Sequence, residues 1–270
     1  MKEKYAIKPK ISIQPNYILL LGTSWANSGK IYTLKIDELG WAIFRFGQFR
    51  VGDNRVAKEF LRERVAIVTG ASSGIGRAAA LELAKAGANL VLAARRMELM
   101  EELAPDIENL GREVLIVPTD ITSKDDIDRL TSSTLSKFGR IDILIANAGV
   151  YYRAPIDKLS LAVMEKAMAV NFYGGLYNIL SVLPHMQKQN FGHIVLVSTM
   201  DTKVGLPGDA PYAASKGALN IFVDVLRQEL YGTGVYTTIV MPGRVDTPLI
   251  HDLKLPKIST IIPPQSVAKV

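Results

Sequence analysis

The chain has 270 residues, of which 48% are hydrophobic and 21% charged, as expected of a folded protein with one substantial core. It contains no cysteine, and its three histidines show no metal-ligand spacing, so disulfides and thiolate chemistry are excluded and no metal site is expected. Five of the six net positive charges fall in residues 1–60, so the remainder does not indicate a nucleic-acid-binding surface. The apolar run at 17–21 is too short to span a bilayer and lacks a signal-peptide layout. We therefore expect a cytoplasmic protein.

Residues 1–60 lack the regular pattern of the later sequence. Residues 31–36 alternate like a strand, and residues 42–49 are aromatic and basic. Three interpretations stay open: a small β-like extension, a poorly ordered tail, or upstream sequence joined by an incorrect start site. We treat residues 1–60 as an extension of unknown role and residues 61–270 as one domain.

Short apolar runs alternate with helical stretches from residue 65 onward. The predicted strands cover 65–70, 89–94, 114–118, 141–146, 193–198 and 235–241. The predicted helices cover 75–86, 97–110, a helix opening at 122–123 with Ser123 as its N-cap, stretches around 160–189, and 211–230. This alternation predicts an α/β fold with a doubly wound, mostly parallel sheet of the Rossmann type. Its ligand should lie at the carboxyl ends of the strands.

The first strand runs directly into the glycine-rich turn TGASSGIG, which opens a helix. The glycines allow the backbone to turn sharply and approach a pyrophosphate, while the helix N-terminus offers free N–H groups. A flexible turn without a ligand is the alternative. The predicted cofactor-binding residues in this stretch are Gly70, Ser72, Ser73, Gly74, Ile75 and Gly76.

The end of the second strand indicates which cofactor binds. It reads Ala93-Ala94-Arg95-Arg96, without the acid that accepts the ribose 2′-hydroxyl of NAD. Two guanidinium groups favour a 2′-phosphate, and Arg95 is the preferred contact. We therefore predict NADP(H), with NAD(H) as the alternative cofactor and two solvated arginines as the alternative reading.

Five motifs in order along the chain resemble those of the short-chain dehydrogenase/reductase family, in its short single-domain branch. They are TGxxxGxG from Thr69, ANAG at 146–149, Asn171, YAASK at 212–216 and PGRVDTP at 242–248. The resemblance covers residues 61–270. It implies an NADPH-dependent carbonyl reductase that is reversible as an alcohol dehydrogenase.

The resemblance also assigns roles. Tyr212 would be the general acid or base, and Lys216, one helical turn later on the same face, would lower the pKa of the tyrosine and bind the nicotinamide ribose. Asn171 would hold a water in a proton relay. Asp120 would lie beside the adenine, and Thr247 would bond the nicotinamide carboxamide. Cofactor contacts are further implied at Asn147, Ala148, Gly149, Tyr212, Lys216, Pro242, Gly243 and Val245.

One departure concerns the hydroxyl that accompanies the tyrosine. Family members carry a serine thirteen residues before it, where this chain has Thr199, and Ser198 lies one residue earlier. Adjacent strand residues point to opposite faces, so only one faces the cleft without a bulge. The spacing favours Thr199, whose hydroxyl can donate to a substrate carbonyl.

A second departure is the C-terminus. Family members continue past a segment like 263–270 with a helix and a last edge strand, whereas this chain stops at Val270. We therefore expect a C-terminally truncated domain without that strand, and a homo-oligomer for the full-length form.

The substrate is less constrained by the sequence. Leu249, Ile250, Leu253, Leu255 and Ile258 would form a flap over a fairly apolar substrate, or would pack on the protein itself. Tyr151 and Tyr152 could line the same pocket. A catalytically silent dinucleotide-binding sensor or scaffold is the main alternative function. An epimerase or dehydratase is disfavoured by the glycine spacing.

Overall fold

The computed structural model describes residues 17–20, 32–36, 42–45, 61–251 and 261–269. Within these ranges the chain forms one nine-stranded sheet, and helices cover both faces of the part built from residues 65–242.

The strands, in chain order, are β1 (Tyr17–Leu20), β2 (Tyr32–Ile36), β3 (Ala42–Arg45), β4 (Val65–Thr69), β5 (Asn89–Ala94), β6 (Val114–Pro118), β7 (Ile143–Ala146), β8 (Gly192–Val197) and β9 (Val235–Pro242). The α-helices are α1 (Gly74–Lys85), α2 (Met97–Glu101), α3 (Ala104–Glu108), α4 (Lys124–Phe138), α5 (Leu161–Met168), α6 (Gly175–Gln189), α7 (Ala210–Glu229) and α8 (Pro264–Ala268). A π-helix (Ala169–Gly174) joins α5 to α6.

The strand order is β3-β2-β1-β9-β8-β7-β4-β5-β6. The six strands from β4 to β9 are all parallel, which confirms the predicted doubly wound sheet. The chain reverses its direction of progress at β4, which lies between β5 and β7. A crevice forms outside the carboxyl ends of the strands at such a switch point, and this crevice holds the site described below.

The central strands are apolar throughout because both of their faces are covered. In β4, Val65 and Ile67 join the core beneath α4, α6 and α7. Ala66 and Val68 of the same strand join a second core beneath α1, α2 and α3. Successive side chains point to opposite faces, so continuous apolar runs supply two helix layers at once.

Helix α4 has the predicted N-terminus. The Ser123 hydroxyl accepts a hydrogen bond from the Asp126 N–H at 3.2 Å, and Asp125 and Asp126 lie in the first turn near the positive end of the helix dipole. The helix ends at Gly139, whose φ of +71° is the left-handed conformation that glycine adopts without strain.

The predicted continuous helix over 97–110 is wrong. Two short helices, α2 and α3, replace it, and Pro105 lies in the first turn of α3. Proline has no N–H to bond the carbonyl of Glu101 one turn earlier, and its ring crowds that carbonyl. The helix therefore restarts near Pro105.

Three strands of the extension join the sheet. Strand β1 pairs in parallel with β9, with Tyr17 opposite Ile239 and Leu20 opposite Pro242. Strands β2 and β3 continue the sheet outward by antiparallel pairing. Strand β1 thus occupies the edge beside β9. The role of residues 1–60 and the domain boundary stay predictions.

No helix within the described ranges is both long and apolar enough to cross a membrane.

Candidate active site

A cleft of about 840 Å³ opens at the carboxyl ends of the parallel strands. Its volume lies in the range of small-molecule and cofactor sites. Of the predicted site residues, all except Gly76 and Asn171 line it. The structure therefore brings together segments that the sequence separates by more than a hundred residues.

The glycine-rich turn forms the floor of the cleft. Gly70 has φ +68°, and a Cβ there would lie 2.8 Å from the Asn147 Nδ2, which donates to the Thr69 carbonyl at 2.9 Å. A Cβ on Gly76 would collide with the Gly70 carbonyl oxygen. Gly76 thus acts by permitting close packing of α1 against the turn. The open backbone at the α1 N-terminus fits a pyrophosphate.

The two arginines after β5 differ in their contacts. Both line the cleft, but the Arg96 Nη2 donates to the hydroxyls of Ser72 at 3.1 Å and Ser73 at 3.0 Å. The sequence favoured Arg95 as the anion contact. The structure holds Arg96 over the serines of the glycine-rich turn, a contact that depends on the path of two separate loops. The role of Arg95 as the anion contact stays a prediction.

Asp120 lies at the rim of the cleft after β6. Its Oδ1 accepts bonds from the Thr122 N–H at 2.9 Å and the Thr122 hydroxyl at 2.7 Å. The carboxylate thus stabilises the turn that enters α4 while it also lines the cleft.

The loop after β9 closes the cleft near the glycine-rich turn. The Thr247 methyl would lie 2.9 Å from a Cβ on Gly74, so the two loops pack closely there. The Thr247 hydroxyl donates to the Val245 carbonyl at 3.3 Å, and Val245 forms a bridge with Ile262. Pro242, Gly243, Val245 and Thr247 therefore lie together at the wall of the cleft.

Tyr212 lies in the first turns of α7 and is 6% exposed. Burial raises the pKa of its hydroxyl, the negative charge of Asp201 acts in the same direction, and a hydrogen bond with Thr199 opposes them. The pKa therefore lies well above its usual range. The sequence led us to expect a value lowered by Lys216. In the structure desolvation dominates, so Tyr212 holds its proton firmly.

Lys216 is buried on the same face of α7, and burial lowers its pKa to about 8. Its Nζ donates to the Val197 carbonyl at 2.9 Å. A Cβ on Gly149 would come within 3.2 Å of that Nζ, so the glycine of the ANAG motif leaves room for the lysine.

Thr199 and Ser198 occupy different environments at the end of β8. The Thr199 Oγ1 accepts from the Asp201 N–H at 3.2 Å and interacts with Tyr212. The Ser198 Oγ is buried and has no hydrogen-bond partner among the described residues. The geometry therefore places Thr199, rather than Ser198, beside the tyrosine.

Asn171 lies within the π-helix and is 1% exposed. Its Oδ1 accepts from the Val150 N–H, and its Nδ2 donates to the Val150 carbonyl, both at 2.9 Å, and to the Ser215 hydroxyl at 3.0 Å. The Ser215 hydroxyl donates to the Tyr212 carbonyl at 2.8 Å. Asn171 thus connects the segment after β7 to the helix that carries Tyr212. Its predicted water relay stays a prediction.

A second group of side chains lies near Tyr212, and the sequence indicated only Tyr151 among them. The Tyr151 ring lies 4.4 Å from the Tyr212 ring, and its hydroxyl donates to the Asp209 Oδ2 at 2.7 Å. The Arg153 Nε donates to the Asp209 Oδ1 at 2.6 Å, and Asp209 is 1% exposed. These contacts link the segment after β7 to Asp209 at the N-terminus of α7, at the end of the cleft near Tyr212. We call this part of the cleft the substrate end. Tyr152 does not line the cleft. Only the position of Tyr151 after the ANAG motif gave a signal in the sequence.

No cluster of His, Asp or Glu suited to a metal ion occurs in the described part of the chain.

The chain is similar to known oxidoreductases over most of its length. The short chain dehydrogenase family matches residues 64–257. An uncharacterised oxidoreductase of Listeria monocytogenes is 36% identical over 195 residues, which cover 72% of this chain and 79% of the relative.

Two solved structures share the fold. An alcohol dehydrogenase of the archaeon Thermococcus sibiricus, complexed with 5-hydroxy-NADP, is 27% identical with a TM-score of 0.70 over 76% of this chain and 87% of its own. A 3-ketoacyl-(acyl-carrier-protein) reductase of Brucella melitensis, complexed with NADH, is 27% identical with a TM-score of 0.72 over 77% and 89%. These ligands agree with a dinucleotide in the cleft.

Proposed function

We propose that this chain, which belongs to the short-chain dehydrogenase/reductase family, is an NADPH-dependent reductase of a carbonyl substrate and runs in reverse as an alcohol dehydrogenase. Family membership makes it an NAD(P)-dependent oxidoreductase. The proposal of carbonyl reduction rests on one observation: Tyr212, Thr199 and Lys216 lie together at one wall of the cleft.

Tyr212 is suited to donate a proton to a carbonyl oxygen. Its pKa is raised by burial, so the hydroxyl is neutral and protonated across the physiological range. The Thr199 hydroxyl beside it can donate a second hydrogen bond to the same oxygen and stabilise the developing negative charge. A nicotinamide dinucleotide bound in the cleft would supply the hydride.

The buried Lys216 supports this step. Its pKa of about 8 leaves most of the amine protonated at neutral pH, and its Nζ is anchored to the Val197 carbonyl. A cation held at this point of α7 favours transient negative charge on Tyr212 after the proton has left. The lysine therefore acts on the reaction through its charge and its fixed position.

A preference for NADPH is supported by the surroundings of Arg96. Its guanidinium and the hydroxyls of Ser72 and Ser73 form a cluster beside the glycine-rich turn, and Arg95 adds a second charge at the rim. This set of donors suits a phosphate dianion, and β5 ends without a carboxylate that would repel it.

The substrate end of the cleft combines apolar and charged side chains. Leu206, Leu249 and Ile250 line it together with Asp201 and Arg244. We propose that the apolar side chains hold the remote part of a fairly apolar substrate. Leu253, Leu255 and Ile258 of the expected flap lie outside the described residues.

The proposal is tested by NADPH oxidation against a panel of ketones. We expect Tyr212→Phe to lower kcat by roughly 10² or more, because the proton donor is lost while the ring packing remains. Tyr152→Phe is the matched control, since Tyr152 does not line the cleft, and it should retain activity. Full activity of Tyr212→Phe would contradict the acid role. Tight NADPH binding without turnover of any ketone would instead support the dinucleotide sensor.

Coenzyme preference is measured in the same assay. Replacing Arg96 by Gln should lower the ratio of kcat/KM with NADPH to that with NADH by about tenfold to a hundredfold, as expected for loss of a charged hydrogen bond. Arg95→Gln shows which arginine dominates. A wild-type preference for NADH would overturn this part of the proposal.

Two further expectations stay predictions. A homo-oligomer is supported by exposed apolar side chains of α7, such as Ile221 and Val225, which a second copy could cover. The cytoplasmic location rests on the sequence reasoning alone.

A further inference from the structure

Thr202 and Asn220 connect the segment that follows β8 to α7, although neither residue lines the cleft. The Asn220 Nδ2 donates to the Thr202 hydroxyl at 3.1 Å, and that hydroxyl donates to the Thr199 carbonyl at 2.9 Å. Thr202 is half-buried and Asn220 is buried. Two consecutive hydrogen bonds therefore run from the helix that carries Tyr212 to the backbone of Thr199.

The buried face of α7 holds the chain on both sides of Thr199. Lys216 and Asn220 lie one and two helical turns after Tyr212, on the same face of the helix. The Lys216 Nζ donates to the Val197 carbonyl at 2.9 Å, two residues before Thr199. Asn220 contacts the turn three residues after Thr199. The lysine has a role in the proposed reaction, whereas the asparagine has none so far.

The turn after β8 also orients the Thr199 hydroxyl. Thr199 caps the 3-10 turn Met200–Thr202, and its Oγ1 accepts from the Asp201 N–H at 3.2 Å. The Thr202 N–H and hydroxyl both donate to the Thr199 carbonyl, at 3.4 Å and 2.9 Å, which closes the turn. Because the Thr199 oxygen already accepts a backbone N–H, its one proton is directed elsewhere. The turn therefore presents Thr199 to the cleft as a hydrogen-bond donor.

The Asn220 amide is not the side chain that stability alone would favour. Its Oδ1 is buried and has no hydrogen-bond partner among the described residues. A buried polar atom without a partner costs free energy of folding, whereas a leucine of similar size would carry no such cost. The bond from its Nδ2 to Thr202 is what the asparagine adds. We therefore expect its replacement to change activity more than stability.

We propose, on the basis of the reductase function above, that Thr202 and Asn220 are positioning residues for the reaction. They hold the turn after β8 against α7, so that the Thr199 hydroxyl donates to the same carbonyl oxygen that Tyr212 protonates. Because neither residue lines the cleft, both act through Thr199. Loss of either contact weakens the stabilisation of the developing negative charge and leaves coenzyme binding unchanged.

Replacing Thr202 by valine removes its hydroxyl and keeps the shape of its side chain. We expect Thr202→Val to lower kcat for ketone reduction by about threefold to tenfold, as for loss of one hydrogen bond, with KM for NADPH unchanged. Thr202→Ser keeps the hydroxyl and should retain kcat within about twofold of the wild type. Asn220→Leu should lower kcat in the same way as Thr202→Val.

The same substitutions in a Thr199→Ala background separate positioning from general damage to the fold. If Thr202 acts through Thr199, Thr202→Val should lower kcat by less than about twofold once the Thr199 hydroxyl is absent. An equal fall in kcat in both backgrounds would overturn the inference, as would an unchanged kcat in the wild-type background.

The matched control is Thr134→Val. It removes a fully buried hydroxyl that donates to the Leu130 carbonyl at 2.7 Å within α4, and Thr134 does not line the cleft. The control also loses one hydrogen bond from a threonine to a backbone carbonyl, so it reports the effect of such a loss away from the site. We expect its kcat to equal that of the wild type.

Amide hydrogen exchange, followed by NMR, tests the same contacts without turnover. The Asp201 N–H donates to the Thr199 hydroxyl, while the His193 N–H is bonded at 2.8 Å at the other end of β8. In Thr202→Val and Asn220→Leu we expect exchange of the Asp201 amide to become faster by about threefold or more, with no change at His193.

The exchange rates distinguish failure of the inference from failure of the reductase function. Unchanged exchange of the Asp201 amide in both variants, or equal acceleration at Asp201 and His193, would overturn the role of Thr202 and Asn220. Absence of ketone reduction would remove the reductase function alone, because the exchange measurement needs no substrate.

Discussion

Lys216 is a buried cation whose charge opposes folding. Its pKa falls from the usual 10.5 to about 8 in the folded chain, which corresponds to a cost of ~3 kcal/mol. The unfolded chain therefore binds more protons between pH 8 and 10.5, so wild-type stability should rise through that window. Below pH 8 the lysine is charged in both states and the full cost applies.

We expect Lys216→Met to abolish activity and to raise the free energy of unfolding at pH 7 by ~1–3 kcal/mol, because the methionine needs no hydration. That advantage should shrink as the pH rises from 8 to 10.5. Urea unfolding at a series of pH values measures it. Lys188→Met, at an exposed position of α6, is the control and should show no such trend. If the free energy of unfolding depends on pH in the same way for the wild type and Lys216→Met, the proposed cost of burying the lysine charge is contradicted.

The sequence located some site residues better than others. Tyr212 and Lys216 share a helix face by their spacing, and the glycines at 70 and 76 follow from the tight turn. Contacts between distant segments carry no such periodicity, so the link between Asp209, Arg153 and Tyr151 could not be predicted. For the same reason the sequence could not tell that Arg96 contacts Ser72 and Ser73.

At the scale of elements, one buried carboxylate joins two central strands at their amino ends, on the side of the sheet opposite the cleft. Asp142 is fully buried just before β7 and accepts from the Val65 N–H of β4 at 2.9 Å. Arg140 and Arg64 donate to the same carboxylate, at 2.7 Å and 3.0 Å. The charge is thus fully compensated, and its loss would leave several donors without an acceptor.

Asp142→Asn should lower the free energy of unfolding by ~3 kcal/mol, the typical effect of breaking a buried ion pair. Chemical denaturation followed by circular dichroism measures this. The control, Glu82→Gln, removes the more exposed pair with Lys85 and should cost less than about 1 kcal/mol. Similar, small effects of both substitutions would show that Asp142 does not stabilise this end of the strands.

The sequence predicted most of these elements because each central strand is apolar on both faces. It failed at 97–110, where the helical pattern continued but Pro105 prevented an unbroken helix. The local sequence pattern therefore predicts that a helix or strand is present more reliably than it predicts that a helix is unbroken. A break can depend on one backbone group, such as the missing N–H of Pro105.

For the whole molecule, strand β1 determines whether β9 is an edge strand. Removing residues 1–60 would leave the main-chain groups of β9 unpaired on that side. Such an edge is a template for intermolecular pairing. The sequence indicated a strand-like pattern in this region, but parallel pairing with β9 depends on the complete sheet and could not be read from local alternation.

We expect the chain lacking residues 1–60 to form larger particles than the full chain at equal concentration, measured by size-exclusion chromatography with light scattering. Deletion of residues 1–16 alone keeps β1, β2 and β3 and should behave like the full chain. An unchanged particle size for the longer deletion would contradict an edge-protecting role for β1.

The pairing of β1 with β9 also constrains how the protein is made. Among the strands that the structure describes, β1 is synthesised first and its parallel partner β9 is synthesised last. Strand β1 can therefore pair with β9 only after the intervening strands have been synthesised. During translation a strand without its partner is open to competing associations, so chaperone binding to the nascent β1 segment would affect the yield of this protein.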